Sequence, residues 1–392
     1  MRILHTSDWH IGRTFHGVDL LTDQASALAA IAQIVAEDRV DVVLVAGDVY
    51  DRSIPGADAI EVCHAGFEQI RAAGAQIVVS SGNHDSPTRL GAGAAFTAAG
   101  GLHLRTRVAT VDVPVLLEDP HGSVACYGLP YLEPDLVRME LDAPQARSHA
   151  EVAQAAMARV RADLARRPGV RSIVLAHAFV QGGAATGSER SITVGGAATV
   201  PSAVFDGIDY VALGHLHSPQ RLTDKVRYSG SPLPYSFGER SHRKAVWLID
   251  LGATGVAVRR RDLPVVRGLS QLSGTLEHLL SSPEFESARG HYVSAQLTDR
   301  VRPVDALRRL RERFPHAVHV EWQRPDSAAD AGYRERVSGR GDLEIAAQFL
   351  RDVYGEPGPG ALEWIRRALD AVDAPDASAG DAREPSVWEA SA

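Results

Sequence analysis

Five short clusters of Asp, Asn and His residues have the composition of a metal site. In chain order they are Asp8-x-His10, Gly47-Asp48-x-x-Asp51, Gly82-Asn83-His84-Asp85, His177 and Gly214-His215-x-His217. Carboxylate, amide oxygen and neutral imidazole suit manganese, iron or zinc, and no cysteine accompanies them. These side chains outnumber the ligands of one ion, and two ions roughly 3.5–4 Å apart stabilise both the attacking and the leaving oxygen at phosphorus. The pattern therefore predicts two-metal phosphoester chemistry.

Turn chemistry is the alternative explanation for each cluster taken alone. Gly-Asp and Gly-Asn are common turn dipeptides, and a lone Asp or His after a strand is more often a turn or cap residue than a ligand. The clusters recur, however, directly after apolar runs of strand length. That recurrence favours one shared site, with the glycines at 47, 82 and 214 allowing sharp turns.

Strands and helices alternate through the first half of the chain. The apolar runs that precede the clusters are 2–4, 41–46, 76–80, 171–176 and 210–213. Helical spacing is found over 22–37, 59–73 and 146–167, and a hairpin is predicted within 107–117 before a strand at 123–129. Continuous apolar strands separated by helices predict an α/β fold, in which sites lie at the carboxyl ends of strands.

The composition is that of an ordinary globular protein with two or three domains. The chain has 392 residues, 45% of them hydrophobic, and a formal net charge of -8. No apolar run approaches the roughly 18 residues of a membrane span, and the first residues turn polar too early for a signal peptide. The two cysteines, Cys63 and Cys126, are predicted to be core residues of a cytoplasmic protein.

The acidic balance argues against a protein that holds nucleic acid by bulk charge alone. Two divalent cations would nevertheless place positive charge where a phosphate must bind. Part of the acidic excess also lies in the tail after residue 373. Net charge therefore does not exclude DNA as a substrate.

The ordered motifs resemble those of the calcineurin-like metallophosphoesterases. Within that superfamily, the opening residues 1–12, Gly128-Leu129-Pro130-Tyr131, and residues 228–232 with Phe237-Gly238-Glu239 are similar to the SbcD family of nuclease subunits from bacterial SbcCD repair complexes. The similarity extends to about residue 370. It implies a metallophosphoesterase β-sandwich flanked by helices, a small α+β capping domain and a C-terminal helical pair.

The resemblance assigns ligands to two divalent ions, with Mn²⁺ expected and Mg²⁺, Fe²⁺ or Zn²⁺ as alternatives. Asp48 would bridge the two ions. The ligands of the first ion would be Asp8, His10, Asp48 and His217, and those of the second Asp48, Asn83, His177 and His215.

Three further residues of the motifs receive other roles. By resemblance, His84 is expected to act at the scissile phosphate, where an imidazole can protonate the leaving oxygen or stabilise the transition state. Its alternative role is to hydrogen-bond a ligand. Asp51, which replaces a His of some non-bacterial relatives, is expected to orient a ligand, and Asp85 to orient His84 or cap the next helix.

The resemblance also divides the chain into functional parts. These are a nuclease domain (1–262), a capping domain that positions DNA (263–325), a linker (326–341), a helix–loop–helix that binds an SbcC-type coiled-coil ATPase (342–372) and a disordered acidic tail (373–392). The capping arginines could contact phosphate or form a solvated helix face. The terminal helices could instead dock on the chain's own nuclease domain.

The implied function is a Mn-dependent DNA nuclease in repair, recombination and replication. It would act as an exonuclease on duplex ends and as an endonuclease on hairpins and single strands, as a homodimer within a heterotetramer and without a membrane partner. Two alternatives stay open: a cyclic-nucleotide type phosphodiesterase of the same superfamily, and a scaffold that binds DNA or a partner without cutting.

Overall fold

The computed structural model describes residues 1–189, 199–323, 339–356 and 358–373, which form two compact units. The larger unit consists of the described residues of 1–272, 282–295 and 307–319, and the smaller one of those of 273–281, 296–306 and from 320 onwards. Most of the predicted linker 326–341 and nearly all of the predicted tail 373–392 lie outside the described residues.

The regular elements alternate much as the sequence indicates. The strands are β1 (Arg2–Thr6), β2 (Thr14–Phe15), β3 (Val18–Asp19), β4 (Val42–Ala46), β5 (Gln76–Ser80), β6 (Leu102–Arg105), β7 (Val115–Asp119), β8 (Gly122–Leu129), β9 (Arg171–His177), β10 (Phe179–Val180), β11 (Thr199–Val200), β12 (Tyr210–Gly214), β13 (Gln220–Arg221), β14 (Val226–Tyr228), β15 (Ala245–Leu251), β16 (Val256–Asp262), β17 (Leu269–Gly274), β18 (Tyr292–Leu297) and β19 (Ala317–Trp322). The α-helices are α1 (Leu21–Asp38), α2 (Ala57–Ala72), α3 (Pro87–Leu90), α4 (Ala94–Ala99), α5 (Pro134–Val137), α6 (His149–Leu164), α7 (Leu276–Ser281) and α8 (Ala306–Arg313), followed by a first and a second terminal helix, Asp342–Tyr354 and Pro359–Asp373.

Two six-stranded sheets form the larger unit. The first has the order β16-β15-β1-β4-β5-β6, with its last four strands parallel and β15 antiparallel to both of its neighbours. The second has the order β13-β14-β12-β9-β8-β7, and its four central strands are parallel. The parallel strands of each sheet therefore end at one edge.

Alternate residues of the central strands face two different cores. In β4, Val42 and Leu44 pack against residues of the second sheet, whereas Val43 and Val45 pack against α1 and α2. The second sheet packs its other face against α6 in the same way. A strand buried on both faces reads as a continuous apolar run, which is why the sequence located these strands. The predicted class, an α/β sandwich flanked by helices, is confirmed.

The predicted hairpin is displaced along the chain. Residues 108–110 form a short 3₁₀ helix, and the hairpin is made by β7 with β8. Pro114 has no N–H for a sheet ladder, whereas Gly122 adopts a φ of 101° at the turn. The proline and the glycine therefore move the hairpin towards the C-terminus.

The C-terminal region is α+β. Strands β17, β18 and β19 form a three-stranded sheet in that order. In α8, Arg311 donates to the Ala317 carbonyl and Arg313 to the Ser282 carbonyl, so these two arginines stabilise the local fold. Among the described helices, none combines the length and the apolar character needed to cross a membrane.

Candidate metal centre

The carboxyl ends of strands from both sheets carry the predicted clusters. Strands β1, β4 and β5 of the first sheet lead directly into the segments that hold Asp8, Asp48 and Asn83. In the second sheet, His177 is the last residue of β9 and His215 follows β12. Packing the two sheets face to face brings residues from both strand edges into one cluster.

The residues predicted for the first ion converge. Asp8, His10 and His217 each offer a ligand atom within 4.8 Å of the other two. His10 Nε2 and His217 Nε2 are 3.1 Å apart. All three side chains are buried. Their donor atoms therefore face one small volume.

The residues predicted for the second ion converge beside the first group. Asn83 Oδ1 lies 3.1 Å from His177 Nε2 and 3.2 Å from His215 Nδ1. Asp48 Oδ2 lies 3.3 Å from His177 Nε2 and 3.5 Å from His10 Nε2. Asp48 thus lies between the two groups, and Asp8 also offers a ligand atom within 4.8 Å of those of Asp48 and His177.

Acceptor atoms close to Nδ1 make Nε2 the available nitrogen of three histidines. His177 Nδ1 lies 2.9 Å from the Ala46 carbonyl, and His217 Nδ1 lies 2.6 Å from Ser188 Oγ. Asp51 Oδ1 is 3.4 Å from His10 Nδ1. Acceptors at these positions favour the proton on Nδ1, so the Nε2 lone pairs face each other or other acceptors. Lone pairs that face each other repel, and a cation bound between them would remove that repulsion.

Burial keeps most of these imidazoles neutral. It lowers the pKa of His215 to about 3 and the pKa values of His10 and His217 below their usual range. His177 differs: burial opposes its charge, but the charge and hydrogen bond of Asp48 raise its pKa to about 9. Burial is also the main cause that raises the pKa of Asp8 to about 7. A cation in the cluster would compensate these carboxylates, and neutral imidazole is the form that ligates it.

Four of the predicted ligands have a left-handed backbone. Positive φ occurs at eight non-glycine residues of the described chain, and Asp8, His10, Asp48 and His215 are half of them. Such conformations cost about 1–3 kcal/mol each and persist where the surrounding structure imposes them. Here the N–H groups of Asp8 and His10 donate to the carbonyls of Gly47 and Asp48. The backbone is held in the shape that aims the side chains inward.

At two of the motif positions glycine is required, because neighbouring atoms lie too close for a Cβ. A Cβ at Gly214 would lie 1.8 Å from the Ala46 carbonyl oxygen, and one at Gly82 would lie 2.1 Å from Asp48 Oδ1. Neither has positive φ, unlike Gly47 at 82°. The prediction of a sharp turn therefore describes Gly47. Gly214 allows the two sheets to meet at the site, and Gly82 allows the loops after β5 and β4 of the first sheet to approach each other.

His84 lies at the open side of the cluster. Its ring is 4.6 Å from that of His10, and its N–H donates to Asp48 Oδ1 at 2.9 Å. Its Nδ1 donates to the backbone carbonyl of Asp51 at 2.8 Å. His84 is only half-buried, and so is Asn83 among the predicted ligands, whereas the other predicted ligands are buried. A substrate can approach the cluster from this side.

Asp85 joins the loops after β4 and β5. Its carboxylate accepts from the N–H groups of Val49, Tyr50 and Gly82 at 2.9–3.1 Å. The expectation that Asp85 caps the next helix is wrong, because Ser86 is the N-cap of α3. The described contacts of its carboxylate are made with backbone amides rather than with the His84 ring. Asp85 thus fixes the loops that carry Asp48 and Asn83.

A buried network behind His217 was missed by the sequence reasoning. Ser188 Oγ donates to Glu239, and Glu239 pairs with Lys244. Lys244 Nζ in turn donates to the His217 carbonyl at 2.7 Å. These residues are distant from His217 in sequence. Glu239 lies in the motif Phe237-Gly238-Glu239, which was noted only as part of the family resemblance. That motif was the sequence signal available for this network.

Comparison with protein families shows the family of the chain. Residues 1–219 match the calcineurin-like phosphoesterases, over more than half of the chain. The chain belongs to this family. Residues 259–354 match the type 5 capsule protein repressor C-terminal domain, the C-terminal domain of SbcD. Together the two matches support an SbcD-type nuclease subunit and a metal-dependent phosphoesterase. The clustered His and Asp side chains are of a kind that could hold divalent metal ions.

Three solved structures share a distant similarity with the chain. TT1561 of Thermus thermophilus is 14% identical, with a TM-score of 0.40 over 66% of this chain and 98% of its own. A dimetal phosphatase from Danio rerio is 14% identical, with a TM-score of 0.42 over 67% and 96%. GAP50, described as the anchor in the inner membrane complex of Plasmodium, is 11% identical, with a TM-score of 0.40 over 85% and 98%. Similarities this distant do not inform the substrate.

Proposed function

We propose that this chain is the Mn-dependent DNA nuclease subunit of an SbcCD-like complex. It would cleave duplex ends as an exonuclease and hairpins and single strands as an endonuclease, in cytoplasmic DNA repair and recombination. The observation that carries the proposal is the pair of donor groups joined by Asp48, with His84 on their open side. The family match to the SbcD C-terminal domain favours DNA over a small diester.

The ligand assignment is the one implied by the family resemblance, and the proximity of the side chains supports it. Asp8, His10, Asp48 and His217 would hold one ion, and Asp48, Asn83, His177 and His215 the other. Bound there, the ions would supply an activated water and neutralise charge on the phosphate oxygens.

His84 would serve the leaving group. Because its Nδ1 is engaged by the Asp51 carbonyl, Nε2 is the nitrogen that can carry a proton to the departing sugar oxygen. Asp51 would thus position two histidines, His84 through its backbone and His10 through its carboxylate.

The terminal helices support a protein partner. Phe349 is 52% and Trp364 71% exposed, although each lies on an amphipathic helix. We propose that residues 342–372 bind the coiled coil of an SbcC-type ATPase, with 1–262 as the nuclease domain and 263–325 as the capping domain. Large exposed apolar side chains on one helical pair are typical of such a surface.

A homodimer is proposed through the nuclease domain. Ile54, before α2, is 68% exposed, and Phe96, on α4, is 86% exposed. Both apolar side chains would be covered by a second copy of the chain. Sedimentation analysis of Phe96→Asp against the parent chain tests this contact, and an unchanged dimer would move the interface elsewhere.

A cleavage assay tests the proposed function. The purified chain with its ATPase partner is expected to cleave duplex and single-stranded DNA with Mn²⁺ and to leave 3′,5′-cyclic AMP intact. Hydrolysis of the cyclic nucleotide alone would favour the small-molecule phosphodiesterase. Metal binding without hydrolysis of either substrate would favour the non-cleaving scaffold.

A further inference from the structure

A cavity of about 720 Å³ opens directly beside the metal centre. Asn83 belongs to both, since its side chain lines the cavity and its Oδ1 is 3.1 Å from His177 Nε2. The remaining walls come from residues within 82–91, 106–109 and 130–140. A phosphate bound by the cluster therefore has adjacent space for a group esterified to it.

The walls suit a flat, largely apolar ring. Val108, Pro130 and Val137 contribute apolar surface, and Tyr131 contributes an aromatic side chain. The Tyr131 N–H donates to the Ser81 carbonyl at 2.8 Å, which ties this residue to the loop that carries Asn83. Its ring centroid is 6.3 Å from that of His177. Aromatic and apolar walls of this kind bind nucleobases by stacking.

The charged residues of the cavity disfavour a second phosphate. Glu133 and Glu140 outnumber Arg107, and the buried Asp85 also belongs to the lining. The carboxylates can accept hydrogen bonds from exocyclic amino groups, and the guanidinium can donate to carbonyl groups of a base. The lining thus fits an uncharged base, while the anionic phosphate stays at the metal centre.

We propose that this cavity binds the nucleoside attached to the scissile phosphate, unpaired from its complementary strand. The inference rests on the proposed nuclease function and adds a specificity site to it. The volume lies in the range of roughly 300–1,000 Å³ of small-ligand sites, so a base must leave its helical stack to enter. Single strands, frayed ends and hairpin loops supply such bases at least cost.

Calorimetry on the full-length, manganese-loaded chain tests the cavity. The probes are 5′-dAMP, 3′-dAMP and inorganic phosphate. At least one nucleotide is expected to bind about tenfold more tightly than phosphate, because stacking adds to the phosphate contact. Equal affinities for all three probes would overturn the proposal.

Exposed positions provide the variants. Ala109→Trp fills the cavity from an exposed position and is expected to remove the nucleotide advantage while phosphate still binds; Leu136→Trp repeats the test if that chain does not fold. Met139→Trp, on an exposed residue outside the lining, is the matched control and should keep the advantage. An advantage that survives both cavity variants would contradict the proposal. Nucleotide preference without DNA cleavage would instead contradict the proposed function alone.

Discussion

The metal centre and the terminal helices depart from the usual pattern of burial in opposite ways. The centre buries charged side chains, and the helices expose large apolar ones. At the centre, Asp8 and Asp48 are at most 2% exposed, and no arginine or lysine pairs with either among the described ion pairs. On the terminal helices, Phe349 and Trp364 are more than half exposed. A buried carboxylate needs a compensating charge, and an exposed aromatic side chain gains from being covered. The first region therefore indicates bound cations and the second a protein surface.

Asp48→Ala should have the largest effect, because this carboxylate lies between both donor groups. We expect loss of both ions and a fall in DNA cleavage of about a thousandfold or more. Elemental analysis of the purified variant measures the metal directly. Two ions retained per chain would exclude the bridging role, whatever the activity.

His84→Ala separates chemistry from metal binding at the open side. Cleavage should fall by about 10²–10⁴-fold, as expected for loss of a general acid, while both ions stay bound. The measurements are the rate at saturating Mn²⁺ and the metal content. Full activity would remove His84 from the mechanism, and lost metal would make it a ligand.

Variants of the terminal helices should lose binding to the ATPase without any effect on the metal centre. The double variant Phe349→Ala/Trp364→Ala is expected to weaken binding to an SbcC-type ATPase by about 10–100-fold, since buried aromatic residues dominate many interfaces. Deletion of residues 340–392 should abolish co-purification. Met139→Ala, which also removes an exposed apolar side chain, is the control. Undiminished ATPase binding by the double variant would place the contact elsewhere.

Ser188→Ala should give the smallest effect of these variants. It tests whether the hydrogen bond to His217 contributes to metal affinity. Loss of the hydroxyl that engages His217 Nδ1 is expected to lower metal affinity by about 10–100-fold, towards the lower end. Ser188→Thr keeps a hydroxyl and should restore most of the affinity. Titration with Mn²⁺ measures both variants. Equal affinity in all three chains would leave the network a role in folding only.

The sequence predicted the parts whose signals are local. Strands such as β4 and β9 are buried on both faces, so each reads as one apolar run, and their positions fix where the polar clusters lie. Helices α3 and α4 are four and six residues long, too short for a helical period to register. Their existence depends on packing against neighbouring elements.

Long-range contacts could not be predicted in the same way. The hydrogen bonds that Asp85 accepts from backbone amides depend on how two loops meet. Residue types alone do not predict that contact. The network through Glu239 and Lys244 likewise joins residues brought together only by the completed sandwich. Residue types could indicate the ligands, whereas the residues that hold them required the fold.

The left-handed backbone at Asp8, His10, Asp48 and His215 limits how this protein can be made more robust. Glycine adopts that conformation without strain, so Asp48→Gly would relieve a local cost that Asp48→Ala leaves in place. Thermostable variants found by selection for folding alone would therefore drift towards glycine at the very positions that bind metal. Stability and catalysis compete at the level of single backbone angles here, and selection for activity must maintain the less stable choice.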